Sequence, residues 1–279
     1  MAISPLSISP PGEPLICKQC DTAIEVSQNF CPVCGTPAQG ENAPDPLVGA
    51  VVADRYKVIG LIGRGGMGVV YKCEHTRMGK IMAIKLLHGD LARDVEIQRR
   101  FRREAQAASR LSHPNTVSIF DFGTSEGLMY LVMEYVSGED MGRVLRATRH
   151  MPSTRAAAIA AQACGSLAEA HENGIVHRDL KPENLLISQL KDSRDFVKLL
   201  DFGLAKLREG EDRNEITSAG TLVGTPYYMA PEIIRAQDVD GRADIYALGA
   251  VIYRAVTGTP AFSGQSPVAV LTRALTDEL

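Results

Sequence analysis

The chain has 279 residues, of which 45% are hydrophobic, enough for a real core in one large domain or two moderate ones. Its formal net charge of −3 gives no electrostatic basis for binding nucleic acid or an anionic membrane, so neither partner is expected. No run of about 18 uninterrupted apolar residues occurs and no basic signal segment opens the chain, which makes the cytoplasm the expected location.

Four cysteines near the N-terminus form two CxxC pairs. Cys17 and Cys20 lie in CKQC, Cys31 and Cys34 lie in CPVC, and ten residues separate the pairs. Two such pairs supply the four thiolates that tetrahedral Zn²⁺ prefers, so we expect a small zinc ribbon. Two disulfides or a redox dithiol are the alternatives, but a cytoplasmic chain disfavours disulfides and a redox pair needs only one CxxC.

The stretch after the second pair, TPAQGENAPDPLVGA, alternates prolines with small and polar residues. This composition is typical of an extended linker. The sequence therefore predicts a disordered N-terminus at 1–15, a zinc ribbon at 16–35, a linker at 36–53 and a main domain from Asp54.

From Tyr56 onwards, the sequence predicts three strands joined by tight turns. Between the first two strands, Gly63, Gly65 and Gly68 form GxGxxG, a motif that is weak alone because a dinucleotide-binding fold shares it. In that fold the last glycine opens a helix, whereas here VVYKCEH follows, which favours a strand. A glycine hairpin of this kind can fold over a polyphosphate with its backbone N–H groups facing the oxygens.

Lys85 is the one charged residue of the apolar strand MAIKLL. Alone, it could simply extend its aliphatic stem along the core. The next stretch, DVEIQRRFRREAQAASRL, predicts a helix with Glu104 beside its apolar face, and a Lys85–Glu104 ion pair would hold the lysine towards bound phosphate. The apolar face comprises Phe101, Ala105, Ala108 and Leu111.

The stretch IVHRDLKPENLLI places a polar cluster between two aliphatic segments that would hold it in place. Before it, STRAAAIAAQACGSLAEAHENG predicts a helix with Ser153 as N-cap and Gly174 as its stop. After it, GRADIYALGAVIYRAVTG predicts a second buried helix.

Five motifs occur in the order found in protein kinases, and the chain resembles the bacterial eukaryotic-like Ser/Thr protein kinases over roughly residues 56 to 276. The resemblance implies an α+β, two-lobed fold, with a β-rich N-lobe carrying one helix at 54–136 and a helical C-lobe at 137–279. The motifs are GxGxxGxV at Gly63–Val70, AIK at Ala83–Lys85, HRDLKPEN at His177–Asn184, DFG at Asp201–Gly203 and APE at Ala230–Glu232.

The resemblance also implies roles for the polar cluster. Asp179 would accept the proton of a substrate hydroxyl and Lys181 would steady the γ-phosphate, while His177 would brace the loop and Asp244 would hold its backbone. The implied catalytic set is Lys85, Glu104, Asp179, Lys181 and Asn184, and the implied Mg²⁺ (or Mn²⁺) ligands are Asn184 and Asp201.

The expected nucleotide is ATP, held between the glycine hairpin and the hinge-like stretch LVMEYVSG. Met133 would lie at the back of the adenine pocket, and the backbones of Glu134 and Val136 would read the adenine edge. The expected ATP-binding set is Ile62, Gly63, Arg64, Gly65, Gly66, Met67, Gly68, Val70, Ala83, Lys85, Met133, Glu134, Val136 and Leu186.

The expected partners are proteins phosphorylated on serine or threonine, because a lysine lies two residues after Asp179 and Thr225 can bond towards both. Arg178 would await an anion made by autophosphorylation of the activation loop. The candidate phosphosites are Thr217, Ser218 and Thr221.

Kinases of this pattern continue for two or more helices beyond SPVAVLTRAL, so the resemblance implies a C-lobe that lacks its last helices. Glu232 would then be buried without its arginine partner, and the helix ALGAVIYRAV would expose an apolar face that favours self-association. The missing helices favour a pseudokinase scaffold as an alternative to an active enzyme. An independent alternative is a zinc-ribbon binding module regulated by the kinase fold.

Overall fold

The computed structural model of the chain describes residues 15–16, 23–24, 45, 47–65, 68–87, 94–125, 127–190, 194–202 and 226–277. The strands are β1 Leu15–Ile16, β2 Ala23–Ile24, β3 Val51–Val52, β4 Tyr56–Gly65, β5 Gly68–His75, β6 Ile81–Leu87, β7 Ile119–Ser125, β8 Leu128–Glu134, β9 Glu139–Asp140, β10 Leu185–Gln189 and β11 Asp195–Leu199. The helices are α1 Val95–Ala108, α2 Met141–Thr148, α3 Ser153–Glu172, α4 Pro231–Ile234, α5 Arg242–Thr257 and α6 Pro267–Thr276.

The N-terminal lobe is built on an antiparallel sheet with strand order β3-β4-β5-β6-β8-β7. Successive side chains of a strand point to opposite faces, and β6 follows this rule with apolar residues on both sides. Ala83 and Leu87 pack with helix α1, whereas Ile84 and Leu86 pack in a second cluster. Lys85 lies two residues from both Ala83 and Leu87, so its side chain points to the same face of the sheet, the face that carries α1.

Helix α1 forms where the sequence predicts it. The Asp94 side chain accepts hydrogen bonds from the N–H groups of Glu96 and Ile97 and so caps the helix. The predicted apolar face is confirmed, because Phe101, Ala105, Ala108 and Leu111 are all buried.

Residues on the N-terminal side of the predicted boundary at Asp54 pair with the sheet of the N-terminal lobe. The Gly49 N–H donates to the Val58 carbonyl at 2.9 Å, and β3 pairs with the start of β4. Val52 is buried in the same apolar cluster as Tyr56. The last residues of the predicted linker are therefore part of the sheet. Its strand, β3, has only two residues, too few to show the alternation by which a strand is recognised in a sequence.

The C-terminal lobe is helical around a core shared by α2, α3 and α5, with a small sheet of order β11-β10-β9 at its edge. The segment between α3 and β10 carries the HRDLKPEN motif, and β11 leads directly to Asp201. In the part of the chain that the structure describes, none of the helices combines the length and apolarity needed to span a bilayer.

Two helices are followed by a glycine, as predicted for Gly174 after α3. Gly174, at φ +71°, and Gly258, at φ +82°, follow α3 and α5 in the left-handed conformation that glycine adopts readily. The predicted N-cap of α3 is displaced by one position, since Ser153 is the first helical residue and Pro152 precedes it without a side-chain cap bond.

Two expectations about the C-terminal region have different outcomes. Glu232 is only half-buried, and the short helix α4 that carries it buries none of its residues, so the expectation of a buried carboxylate is wrong. Helix α5 does present an exposed apolar face, with Ile245 at 52%, Tyr253 at 40% and Val256 at 40% exposure.

Candidate active site

The glycine hairpin is formed by the end of β4 and the start of β5. Arg64 pairs with Val69 and Gly65 pairs with Gly68, while Gly66 and Met67 lie outside the described residues. A Cβ atom would meet nothing within 4 Å at Gly63, but at Gly68 it would lie 2.1 Å from the Leu86 carbonyl oxygen. Gly68 is thus needed for packing inside the sheet, whereas Gly63 leaves open space where a ligand can approach the backbone.

Lys85 crosses from the sheet to the C-terminal lobe. Its side chain is buried, and Nζ lies 2.7 Å from Asp201 Oδ2. The partner that the structure gives Lys85 is therefore Asp201 and not Glu104, the partner expected from the sequence. Burial alone would raise the pKa of Asp201, but the neighbouring ammonium of Lys85 lowers this pKa below its usual value. Asp201 is consequently ionised at neutral pH and available to a cation.

Asp179, Lys181 and Asn184 lie together in the catalytic segment. Lys181 Nζ is 2.6 Å from Asp179 Oδ2, and Asn184 Nδ2 donates to the Asp179 carbonyl at 2.7 Å. The expected apolar anchors are present on both sides, with Ile175 at 7% and Leu185 at 0% exposure. The polar groups are thus held by a packed backbone and lose little freedom when a substrate binds.

Asp244, in the first turn of α5, holds the backbone of this segment in place. Its carboxylate is 1% exposed and accepts hydrogen bonds from the backbone N–H groups of His177 and Arg178, both at 2.8 Å. His171 Nε2 also lies 2.8 Å from Asp244 Oδ2. Arg178 has φ +68°, a conformation that costs about 1–3 kcal/mol outside glycine. The contact expected between Asp244 and the loop backbone is confirmed.

His177 joins the catalytic segment to the residues before and after Asp201. It is fully buried, its Nε2 lies 2.7 Å from the Leu200 carbonyl oxygen, and its ring packs 5.0 Å from the ring of Phe202. The Leu200 N–H in turn donates to the Asn184 carbonyl at 2.9 Å. The bracing role expected of His177 is confirmed, and the two expected metal ligands are held by one backbone network.

The expected adenine pocket has an apolar floor. Ala83 and Met133 face each other across β6 and β8 and belong to one cluster with Val70 and Val136. Of the other expected contact residues, Ile62 is exposed and Leu186 is half-buried.

The hinge offers a backbone donor for the edge of a base. The Glu134 N–H is not that donor, because it already donates to the Ser118 carbonyl. Within the described residues, the Val136 N–H donates to no backbone acceptor.

Sequence reasoning missed an ion pair that ties the hinge to the C-terminal lobe. Lys198 Nζ lies 2.7 Å from Glu134 Oε2 and 3.1 Å from the Thr116 carbonyl oxygen. Both partners occur in strands, where a lone charged residue is usually read as solvent-facing, and 64 residues separate them. No local pattern could have indicated this pair.

Several expected residues cannot be located. The four cysteines, Gly66, Met67, Gly203 and the three candidate phosphosites all lie outside the described residues. Among the residues that are described, no group of three or more His, Cys, Asp or Glu is arranged to hold a metal ion. Glu104 is half-buried on α1, next to the buried Ala105.

Comparison with known proteins identifies the class. Residues 56–277 match the family described as protein kinase domain, so the chain belongs to the protein kinase family. It is 42% identical over 236 residues to the serine/threonine-protein kinase pkn3 of Myxococcus xanthus, covering 84% of this chain and 43% of that protein. It is 43% identical over 223 residues to the serine/threonine-protein kinase PknB of Mycobacterium leprae, covering 78% of this chain and 35% of that protein.

The fold has solved counterparts. The kinase domain of Mycobacterium tuberculosis PknI superposes with a TM-score of 0.61 at 30% identity, covering 82% of this chain and 90% of that domain. The two-lobed protein kinase fold is therefore established. The chain spans less than half the length of the curated relatives that it matches.

Proposed function

We propose that this chain transfers the γ-phosphoryl group of ATP to serine or threonine hydroxyls of protein substrates. The observation that carries the proposal is a network of five polar residues. Lys85 of the N-terminal lobe contacts Asp201, Lys181 and Asn184 contact Asp179, and the Leu200 N–H beside Asp201 donates to the Asn184 carbonyl. Phosphoryl transfer needs mainly an aligned alcohol, a proton acceptor and cations across the phosphates. This network offers each of these functions.

The acidic and basic residues of this network have different proposed roles in phosphoryl transfer. Asp179 is 40% exposed at its side chain, so a substrate hydroxyl can reach it as the proton acceptor. Lys181, within 2.6 Å of the same carboxylate, brings a positive charge to the point where phosphate charge develops. Lys85 directs a second ammonium into the cleft from the N-terminal lobe, and Glu104 is proposed to pair with Lys85 once nucleotide is bound.

The donors available to a divalent cation fit Mg²⁺ or Mn²⁺. Asp201 supplies an ionised carboxylate, and Asn184 uses its amide nitrogen on the Asp179 carbonyl, which leaves its amide oxygen as a ligand. Hard cations of this kind prefer oxygen ligands. When bound, the cation would neutralise charge on the phosphates.

The nucleotide would lie under the glycine hairpin with its base against Ala83 and Met133. The open space beside Gly63 and the apolar cluster that contains Ala83 and Met133 support this placement. The proposed contact residues remain those expected from the sequence: Ile62, Gly63, Arg64, Gly65, Gly66, Met67, Gly68, Val70, Ala83, Lys85, Met133, Glu134, Val136 and Leu186.

The preference for serine or threonine rests on the lysine after Asp179 and on the names of the relatives, which are serine/threonine-protein kinases. We also propose autophosphorylation at Thr217, Ser218 or Thr221, which would give Arg178 a phosphate partner. The pseudokinase alternative is disfavoured because the described lysines, acids and amide of the site are all present. A cytoplasmic location stays a prediction.

The zinc ribbon also stays a proposal, with Cys17, Cys20, Cys31 and Cys34 as ligands of one Zn²⁺. Strands β1 and β2 pair antiparallel, and the connection between them contains the first CxxC, which supports the proposal. Zinc content of the purified chain tests it: one equivalent with four reduced thiols is expected, whereas a zinc-free chain or paired disulfides would contradict it.

Two substitutions separate the proposed roles in the kinase site. Asp201→Asn should weaken Mg-ATP binding measured by calorimetry, because it removes a ligand charge. Asp179→Asn should leave binding close to parental and lower turnover by roughly 10² or more, because it removes the proton acceptor. Parental binding and turnover in both variants would show that the site is assigned wrongly.

A further inference from the structure

A carboxylate outside the protein kinase match contacts the glycine hairpin. Asp45 lies eleven residues before the matched range of 56–277. Its Oδ2 is 2.7 Å from Arg64 Nη2, and the Tyr71 hydroxyl is 3.1 Å from both of its oxygens. Arg64 belongs to β4 between Gly63 and Gly65, and Tyr71 belongs to β5, so Asp45 spans both strands of the hairpin.

The contact is well shielded from water. The side chain of Asp45 is 11% exposed and that of Arg64 is 20% exposed, so solvent weakens their attraction less than at an open surface. Burial, followed by the charge of Asp45, raises the pKa of Tyr71 to about 12. The tyrosine hydroxyl therefore keeps its proton at neutral pH and donates it to the carboxylate.

Asp45 is itself held in place by the sheet. Its side chain accepts a hydrogen bond from the Leu47 N–H at 3.1 Å. Residues 49 to 52 then pair with the first residues of β4, through the Gly49 N–H to Val58 carbonyl bond and the β3–β4 ladder. A fixed anchor is thus connected by a short segment to the carboxylate that touches the hairpin.

On the β5 side the hairpin pairs with β6, but on the β4 side its described residues pack little apolar surface. Leu61 and Ile62 on β4 are 46% and 49% exposed, and the β4–β5 register shifts between Leu61 and Gly63. Gly63 brings no side chain that could pack. Phosphate-binding backbone groups must nevertheless be held within about 0.5 Å to act efficiently.

We propose that Asp45 is a positioning residue for the phosphate-binding hairpin, and that the segment before the kinase-family match thereby contributes to nucleotide affinity. The inference rests on the proposed ATP-dependent function. It extends the nucleotide site to a residue that touches no substrate and acts through Arg64 and Tyr71.

The chain contains a matched control at the opposite end of β4. Asp121 accepts a hydrogen bond from the Tyr56 hydroxyl at 2.6 Å and lies 3.3 Å from Arg55 Nη2. This Asp–Tyr–Arg group repeats the chemistry of the Asp45 group, but it contacts the start of β4 and not the hairpin. Asp121→Asn therefore reports what losing such a group does to the lobe in general.

The test compares Asp45→Asn with Asp121→Asn in the full chain. For Asp45→Asn we expect the KM for ATP to rise at least threefold with kcat within twofold of the parent. We also expect faster amide hydrogen exchange in residues 61–70, measured without nucleotide. Asp121→Asn should leave both quantities at parental values. Tyr71→Phe, which keeps the ring and removes the hydroxyl, should shift both quantities in the same direction as Asp45→Asn.

Two outcomes would overturn the proposal. The first is equal exchange of residues 61–70 in the two aspartate variants, and the second is a rise in exchange that is uniform over the whole lobe. If the parent binds no ATP, the proposed function fails, but exchange in the hairpin still decides whether Asp45 holds it. If Asp45→Asn does not fold, Tyr71→Phe supplies the same two measurements.

Discussion

Replacing Asp244 by alanine should destabilise the catalytic lobe strongly. The carboxylate is 1% exposed and accepts hydrogen bonds from the N–H groups of His177 and Arg178. A buried donor left without a partner costs about 1–3 kcal/mol, so two such donors cost about 2–6 kcal/mol.

The assay is urea denaturation of the purified chain, followed by turnover under native conditions. Asp244→Asn keeps one acceptor oxygen and should lose about half of the free energy of unfolding that Asp244→Ala loses. Asp240→Asn is the control, because Asp240 is 60% exposed and solvent screens its ion pair with Arg242. A loss below about 1 kcal/mol in Asp244→Ala would refute the view that this carboxylate supports the loop.

Three further predictions concern other contacts of the lobes. Lys198→Met should lower the free energy of unfolding by about 1–3 kcal/mol, more than Glu134→Gln does, because it leaves a partly buried carboxylate without its cation; urea denaturation measures both. Burial alone would raise the pKa of Glu169, but hydrogen bonds from residues 112–113 lower it below the usual value. The contribution of ionised Glu169 to the free energy of unfolding is therefore fully present above the unfolded pKa of about 4.3, and it is lost as the pH falls through the lower folded pKa. Glu169→Gln lacks this contribution, so its Tm should fall less than that of the parent between pH 5 and 3. Ile245→Lys should weaken any self-association through the exposed face of α5, and an unchanged sedimentation profile in a chain that does associate would contradict this role for the face.

The sequence predicted best what depends on local spacing. The strand–glycine–strand hairpin, the helix with Glu104 beside its buried face, and the anchored HRDLKPEN segment each lie within one continuous stretch of chain. Their periodicity and turn residues act over a few positions, so the same residues appear together in the structure.

Long-range contacts between charged side chains could not be predicted in this way. Lys85 pairs with Asp201 across 116 residues, and Lys198 pairs with Glu134 across 64. Which of several acids meets a given lysine depends on how the two lobes pack, and no short pattern encodes that. The Asp45 contact was missed because a proline-rich stretch with a two-residue strand has the composition of a linker.

Phosphopeptide mapping of the purified chain after incubation with Mg-ATP tests the central claim most directly. The account predicts phosphate on serine or threonine, including at least one site within residues 213–225, and none in Asp179→Asn prepared in the same way. A parent chain that binds Mg-ATP but incorporates no phosphate, or an Asp179→Asn variant that incorporates as much as the parent, would contradict it.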